Sequence, residues 1–315
     1  MTLPAAGSAR AARYRIEHLT GFGYSSPVRR CTMSLCLRPL DDARQQVLGF
    51  GITTSPRGRL TTEIDPFGNT RHVLTVNETH DTLEVVSVST VEVFPSPPLP
   101  QCLAPDAWEV VRSWSTDLAF WQFIHPSPGA GPTPTLTGFV SELGIEPGSD
   151  PLADLVDLAS TLNDAFDYVP GSTSVDSPID EILATRRGVC QDYAHVMIAI
   201  ARSWGVPTRY VSGYLRVEDA SGGPSGPPGT ATHAWVECRI PQLGWVEFDP
   251  TNRTLTDQRY VRTAVGRDYR DVPPTRGVVE GGANSRLDVD VRVTRLADAA
   301  PPGTTPDPER TARSE

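Results

Sequence analysis

The feature that most constrains the fold is the segment CQDYAHVMIAIARSW, which begins at Cys190 and ends just before Gly205. Apolar side chains occur nearly all around a helix drawn on this segment, whereas a surface helix keeps one polar face. The segment is too short to cross a bilayer, which needs about 20 apolar residues. It therefore predicts a helix buried in the centre of a domain, with Cys190 at its N-terminus.

Helical patterns also precede this segment. Asp150 is a good N-cap, Pro151 suits the first turn, and the apolar residues up to Phe166 fall on one face. A second helix is expected from a cap at Ser177 to a terminating glycine at Gly188. A helical period is also expected over 106–123.

Strands are predicted after Gly205, at 208–217, 233–240, 245–249 and 287–294. The last of these alternates apolar and polar residues, which is typical of a half-buried strand. Together the patterns indicate an α+β domain over 101–298, with a helical part at about 105–205 and a β part at about 206–298.

The chain before this domain has the period of β strands. Residues 13–94 alternate apolar and polar side chains, and Pro95 to Pro105 contain five prolines, which cannot continue a ladder. We therefore expect a β-rich, sandwich-like domain over 13–100. Residues 1–12 are expected to be flexible and 299–315 to be a disordered tail.

The charge and the cysteines exclude several classes of protein. A net charge of −10 disfavours nucleic acid and anionic membrane surfaces as partners. The five cysteines form neither a close CxxC pair nor a secreted disulfide pattern. The chain shows no signal-peptide pattern at its start. These observations favour a cytoplasmic protein and leave its oligomeric state open.

Three residues carry the predicted chemistry: Cys190, His233 and Asp249. A thiol at a helix N-terminus meets partial positive charge and unpaired N–H groups, and both favour the thiolate. His233 opens one strand and Asp249 closes the next, so an antiparallel hairpin would bring them together. In such an array the histidine moves the proton, the aspartate orients the histidine, and the backbone N–H of Cys190 stabilises the oxyanion.

Three blocks of sequence resemble the bacterial transglutaminase-like proteins. They are RRGVCQDYAHVMIAIARSWGVPTRYVSGYL, THAWVECRIPQLGWVEFDPTN and AVGRDYRDVPPTRG, in this order. The N-terminal β region resembles the domain that commonly precedes that core. The resemblance implies a papain-like α+β core with a Cys-His-Asp triad, carried over onto Cys190, His233 and Asp249.

The resemblance leaves the oxyanion side chain open. In the animal enzymes a tryptophan upstream of the cysteine helps the oxyanion, but this chain has no tryptophan between Trp121 and Cys190. Tyr168 and Gln191 are the candidates that we name instead. No cofactor is expected. No metal is expected either, because the histidines have no cysteine or carboxylate companions at the spacing of a metal site.

Other polar residues are expected to be structural. His195 points away from the thiol on a helix and should form a hydrogen bond in the core. Asp192 lies in the first turn, where a carboxylate satisfies backbone N–H groups. Cys31 and Cys238 lie on packed strands and should behave as small apolar side chains.

Three functions remain open at this stage. A thioester at Cys190 could be captured by water, as in a protease or amidase, or by an amine, as in a transglutaminase. We expect hydrolysis of a peptide or glutamine-type amide. The alternatives are amine transfer and a non-catalytic scaffold that binds proteins. The glycine- and proline-rich residues 218–230 are either a passive connection or a mobile rim over the thiol.

Overall fold

The computed structural model describes residues 10–217 and 232–297. Two sheets form an N-terminal sandwich, and a third sheet packs against helices in a second domain. The expected class, an α+β core preceded by a β-sandwich-like domain, is confirmed. No helix in the described ranges is long and apolar enough to cross a membrane. Most of the predicted flexible N-terminus and the predicted tail lie outside the described residues.

The strands run through both domains. They are β1 (Ala12–Val28), β2 (Arg30–Leu35), β3 (Gln45–Ser55), β4 (Arg59–Ile64), β5 (Thr70–Val76), β6 (His80–Val93), β7 (Asp167–Tyr168), β8 (Arg187–Gly188), β9 (Thr208–Leu215), β10 (Thr232–Ile240), β11 (Gly244–Asp249), β12 (Thr254–Leu255), β13 (Tyr260–Gly266), β14 (Thr275–Glu280) and β15 (Ser285–Arg295).

The helices lie between the two sets of strands. They are α1 (Ala107–Ser113), α2 (Trp121–Ile124), α3 (Pro134–Leu143), α4 (Pro151–Ala165), α5 (Ile179–Thr185) and α6 (Cys190–Ser203). Single 3₁₀ turns occupy Trp114–Thr116 and Tyr269–Asp271.

The N-terminal domain is a sandwich of two four-stranded antiparallel sheets, ordered β15-β1-β6-β3 and β14-β2-β5-β4. Apolar residues of both sheets meet between them, including Leu35 and Leu74 from one sheet and Val85 from the other. Alternation along each strand puts these side chains inside and their polar neighbours outside. The strands predicted before the proline-rich segment therefore form a β sandwich.

The predicted C-terminal boundary of the core is wrong. β14 pairs with β2 and β15 pairs with β1, so both strands complete the N-terminal sheets rather than the core sheet. The core therefore ends before Thr275, not at residue 298. Alternation in a sequence identifies a strand but not its partner, which tertiary packing decides. Leu287 and Val289 are exposed on β15, so only part of the predicted apolar face is buried.

The core consists of an antiparallel sheet, ordered β12-β11-β10-β9-β13, with α6 packed against it. Every residue of α6 from Gln191 to Arg202 is buried. The helix gives way to Gly205, whose φ of 82° lies in the left-handed region that glycine tolerates. The prediction of a central buried helix that begins at Cys190 is confirmed.

The start of α4 is the one predicted. Asp150 Oδ1 accepts hydrogen bonds from the backbone N–H groups of Leu152 (2.8 Å) and Ala153 (3.3 Å), and Pro151 opens the helix. The ends of α5 differ from the prediction. Pro178 is its N-cap, and Arg186 ends it with a φ of 57°, so Ser177 and Gly188 do neither.

The predicted helical segment over 106–123 is broken into α1, a 3₁₀ turn and α2. Asp117 is extended, and its Oδ1 accepts a hydrogen bond of 2.9 Å from the N–H of Ala119. Asp and Asn side chains compete with helical hydrogen bonds in this way and favour turns. The local turn at Asp117 thus overrides the apolar period.

Candidate active site

The thiol of Cys190 lies at the first residue of α6 and is partly exposed. The first N–H groups of a helix have no partners within it, and they give this end a partial positive charge. Gly188 lets the incoming chain pass close to the helix, because a Cβ there would lie 2.5 Å from Ile182 Cδ1 and 2.9 Å from Asp192 Oδ2. The packing of this approach holds the thiol at the helix end.

Asp192 caps this end of the helix, as the sequence predicts. Its Oδ2 accepts hydrogen bonds from the N–H of Val189 at 2.8 Å and from the hydroxyl of Thr173 at 2.5 Å. Burial raises the pKa of Asp192, although the two hydrogen bonds act in the opposite direction. The Asp192 carboxylate therefore holds the loop before Cys190 in place, through its hydrogen bonds to Val189 and Thr173.

His233, near the start of β10, contacts both other members of the predicted constellation. Its Nε2 lies 2.7 Å from Asp249 Oδ2, and its imidazole interacts electrostatically with the side chain of Cys190. Since Nε2 faces the carboxylate, Nδ1 is the nitrogen available to the thiol. Burial alone would lower the pKa of His233, but the charge and hydrogen bond of Asp249, with Cys190, raise it to about 10.

Asp249 closes β11 and is fully buried. Its Oδ1 accepts from the N–H groups of Thr251 (2.9 Å) and Asn252 (3.2 Å). Its Oδ2 accepts from His233, from Asn252 Nδ2 (2.7 Å) and from the hydroxyl of Tyr260 (2.8 Å). Burial would raise the pKa of Asp249, but His233 and these hydrogen bonds lower it, so the residue is a carboxylate at neutral pH.

The ring of His233 also has an aromatic support. Trp235 stacks on it with centroids 6.0 Å apart and planes 26° apart, and Trp235 is fully buried. The indole N–H of Trp235 donates to Glu247 Oε2 at 2.8 Å, which fixes the indole in turn. Trp235 therefore lies behind His233 rather than beside an open cleft.

The two candidate oxyanion side chains are in different situations. Gln191 Nε2 donates to the carbonyl of Val175 at 3.0 Å, so this side-chain amide is engaged by a loop. Tyr168 is 53% exposed, and its pKa is raised by burial of part of the ring and by the charges of Cys190 and Asp249. The Tyr168 hydroxyl is thus neutral at neutral pH and can donate a hydrogen bond.

Three other residues that we expected to be structural, His195, Cys31 and Cys238, are buried. His195 Nε2 accepts the N–H of Tyr269 at 3.1 Å, and burial lowers the pKa of His195 to about 4. Cys31 and Cys238 are fully buried, and burial raises the pKa of both thiols. Cys102 is exposed.

Sequence reasoning missed Asn252 and Tyr260. Asn252 follows Asp249 by three residues in a turn, and its Nδ2 lies 3.3 Å from His233 Nε2. Its position after the Asp-Pro turn could have suggested a contact with Asp249. Tyr260 reaches Asp249 from another strand, which no spacing in the sequence indicates. The predicted rim at 218–230 lies outside the described residues.

Comparisons with known proteins match both domains of the chain. The sequence profile of the transglutaminase-like superfamily matches residues 141–250, and that of the bacterial transglutaminase-like N-terminal region matches 14–92. An uncharacterized protein of Mycobacterium tuberculosis is 36% identical over 93% of this chain and 95% of its own length. A protein-glutamine gamma-glutamyltransferase of Pseudomonas aeruginosa is 36% identical over 101 residues, which are 30% of this chain and 14% of that protein.

The fold has a counterpart among solved structures. The crystal structure of a Cytophaga hutchinsonii protein described as a candidate cysteine protease superposes with a TM-score of 0.73 at 22% identity. It covers 93% of this chain and 94% of its own. Both the core and the N-terminal domain are included in that likeness. The chain therefore belongs to the transglutaminase-like superfamily, a family of cysteine-dependent enzymes, and carries the N-terminal region of its bacterial members.

Proposed function

We propose that the protein is a thiol enzyme that attacks a peptide or glutamine-type amide through Cys190 and hydrolyses the resulting thioester. The observation that carries this proposal is the position of His233, whose Nε2 lies 2.7 Å from the buried carboxylate of Asp249 and whose imidazole also interacts with Cys190 at the start of α6. Such a chain activates a thiol and also supplies a proton to a leaving group. The pKa of about 10 for His233 favours a protonated imidazole beside Cys190 at neutral pH.

In the first half-reaction the sulfur of Cys190 attacks the carbonyl carbon of the amide. The C–S bond forms and the carbonyl oxygen takes negative charge. The backbone N–H of Cys190 and the hydroxyl of Tyr168 are the donors that we assign to this oxyanion. His233 then gives its proton to the amide nitrogen, the C–N bond breaks, and ammonia or an amine leaves.

In the second half-reaction water attacks the thioester. His233, now neutral, takes a proton from the attacking water, the C–S bond breaks with its electron pair on the sulfur, and a carboxylic acid leaves, so that free Cys190 and protonated His233 are restored. Asp249 holds Nε2 throughout and keeps Nδ1 aimed at the reacting atoms. We favour water as the acceptor because it reaches a partly exposed thioester without a dedicated binding site.

Amine transfer is the second candidate. It is supported by the 36% identity over 101 residues to a protein named as a protein-glutamine gamma-glutamyltransferase. In that case an amine replaces water in the second half-reaction, and the product is a new amide. The chain contains no lysine, so it offers no lysine amine for cross-linking to itself.

The proposal is tested by incubating the purified protein with a library of peptides and amides, with and without an added primary amine. Mass spectrometry then distinguishes cleaved peptides, glutamine converted to glutamate, and amine adducts. Hydrolysed products that disappear with Cys190→Ala support the proposal. Amine adducts without hydrolysis would favour a transglutaminase, and binding without any product would favour a scaffold.

The free thiols also support a proposed location. All five cysteines lie within the described residues and none is in a disulfide. We assign the enzyme to the cytoplasm, where thiols stay reduced. Its partners are then peptide or protein amides rather than nucleic acid or membrane, consistent with the net charge of −10.

A further inference from the structure

Asp249 Oδ2 receives a hydrogen bond that neither the helix nor the hairpin supplies. The donor is the hydroxyl of Tyr260, 2.8 Å away, on the edge strand β13. The Tyr260 ring is buried and meets Trp235 edge to face, with centroids 5.3 Å apart. Tyr260 thus touches both the carboxylate partner of His233 and the indole that stacks on His233.

The position of Tyr260 is set by the N-terminal domain on both sides. Two residues before it, Gln258 Nε2 donates to the carbonyls of Arg10 (2.7 Å) and Val93 (3.1 Å). Two residues after it, the side-chain amide of Gln45 donates to the carbonyl of Arg262 (2.8 Å) and accepts from its N–H (2.9 Å). Tyr260 lies between these two attachments.

A second amide holds the far end of the same strand. Asn69 Nδ2 donates to the carbonyl of Val265 at 2.7 Å, and Asn69 Oδ1 accepts from the N–H of Val265 at 2.8 Å. Gln45 and Asn69 are 1% and 0% exposed, so both amides are buried where an unpaired polar group is costly. The two side chains satisfy the outer edge of β13 as a neighbouring strand would.

Several ionisable groups act on Asp249 and Tyr260. Tyr260 is also near Asp257 and Arg259. Burial and the charge of Asp249 raise the pKa of Tyr260 far above its usual value, so its hydroxyl remains a donor at every pH of interest. The other ionisable group that acts on Asp249 is His233 from β10; Cys190 from α6 acts on His233, and Asp249 in turn acts on Tyr168 from β7.

We infer that Tyr260 is a positioning residue that sets how tightly the His233–Asp249 pair holds its proton, and that the N-terminal domain fixes Tyr260 through β13. The inference rests on the proposed function. The hydrogen bond from Tyr260 to Oδ2 partly neutralises the negative charge of Asp249. The carboxylate therefore stabilises the imidazolium of His233 less than it would without this hydrogen bond. Without the hydroxyl, His233 should hold its proton more tightly and act less readily as a base at neutral pH.

The test is an NMR titration of the six histidines in ¹⁵N-histidine-labelled protein, with the His233 signals assigned by their loss in His233→Gln. Tyr260→Phe keeps the ring and removes the hydroxyl. The His233 midpoint is expected to rise by about one pH unit. The matched control is Tyr214→Phe, which removes another buried hydroxyl, 2.9 Å from His18 Nδ1, without touching Asp249. It should leave His233 unchanged.

The contribution of the N-terminal domain is tested with Gln45→Met. This variant should raise the His233 midpoint less than Tyr260→Phe does, and it should add nothing in the Tyr260→Phe background. Gln258→Met, at a less buried position, takes its place if Gln45→Met does not fold. A full additional rise in the double variant would show that the domain does not act through Tyr260.

The results distinguish a failure of the proposed function from a failure of the role assigned to Tyr260. A wild-type His233 midpoint at or below its ordinary value of 6.5 would remove the ion pair on which the proposed function rests. A high wild-type midpoint that Tyr260→Phe leaves unchanged, or lowers, would overturn the role of Tyr260 and leave the proposed function standing.

Discussion

His233 and His195 lie in the same domain, and each packs on an aromatic ring: His233 on Trp235 and His195 on Tyr210, with centroids 6.0 and 5.1 Å apart. His195 is 4% exposed, and the side chain of His233 is 8% exposed. Yet the pKa of His195 is lowered to about 4 while that of His233 is raised to about 10.

The partner accounts for the difference. His195 Nε2 accepts a backbone N–H, so its neutral form is the one that satisfies its surroundings. His233 Nε2 instead faces the carboxylate of Asp249 at 2.7 Å, which favours the charged form despite burial. Burial alone therefore keeps a histidine neutral at neutral pH. A buried carboxylate in contact with the imidazole raises the pKa enough for the histidine to be protonated.

The largest effect should come from removing each imidazole in turn. His233→Gln is expected to lower amide hydrolysis on the order of 10⁴-fold, because it removes the group that moves the proton in both half-reactions. His195→Gln retains an acceptor for the Tyr269 N–H and should leave the rate close to that of the wild type. Turnover of the amide found in the library screen measures both. Equal losses in the two variants would contradict the comparison.

Removing the carboxylate should have a smaller effect. Asp249→Asn takes away the charge that raises the pKa of His233, and such a loss moves a pKa by about 1–3 units. Turnover should then fall, but less than in His233→Gln, because a neutral amide neither stabilises the imidazolium nor holds its orientation as the carboxylate does. Cys190→Ala lacks the nucleophile and therefore measures the background rate of the same assay. If Asp249→Asn kept wild-type activity, Asp249 would have no part in the reaction.

The smallest effect concerns stability in acid. The folded pKa of His195, about 4, lies below its unfolded value of 6.5. Between these values the unfolded chain binds a proton that the folded chain does not, so stability falls as pH falls from 6.5 towards 4. Thermal unfolding should show His195→Gln losing a few degrees less in Tm than the wild type over this window. His233, with a raised pKa, contributes stability below pH 6.5 that is lost towards about pH 10.

The elements around the candidate site could be predicted because local patterns specify them. The all-round apolar period required a buried helix from Cys190, and the caps at Asp150 and Pro151 marked the start of α4. Alternation and the turn before Gly244 brought β10 and β11 into one hairpin. These signals lie within a few residues of one another in the chain.

The contacts that depend on distant parts of the chain could not be predicted. β15 pairs with β1, although about 260 residues separate them, and an alternating pattern does not specify a partner. Tyr260 reaches Asp249 from a strand whose outer edge is held by Gln45 and Asn69. Only the assembled fold brings these residues together. The sequence therefore did not predict that the N-terminal domain holds β13.

Activation of Cys190 by His233 and Asp249 should appear as a high rate of alkylation at this thiol. Brief treatment with iodoacetamide at neutral pH, followed by peptide mass mapping, compares Cys190 with Cys102, which is the more exposed thiol. We expect Cys190 to react much faster than Cys102 despite its lower exposure, and His233→Gln to remove this advantage. Labelling of Cys102 as fast as Cys190, or no labelling at Cys190, would contradict this activation.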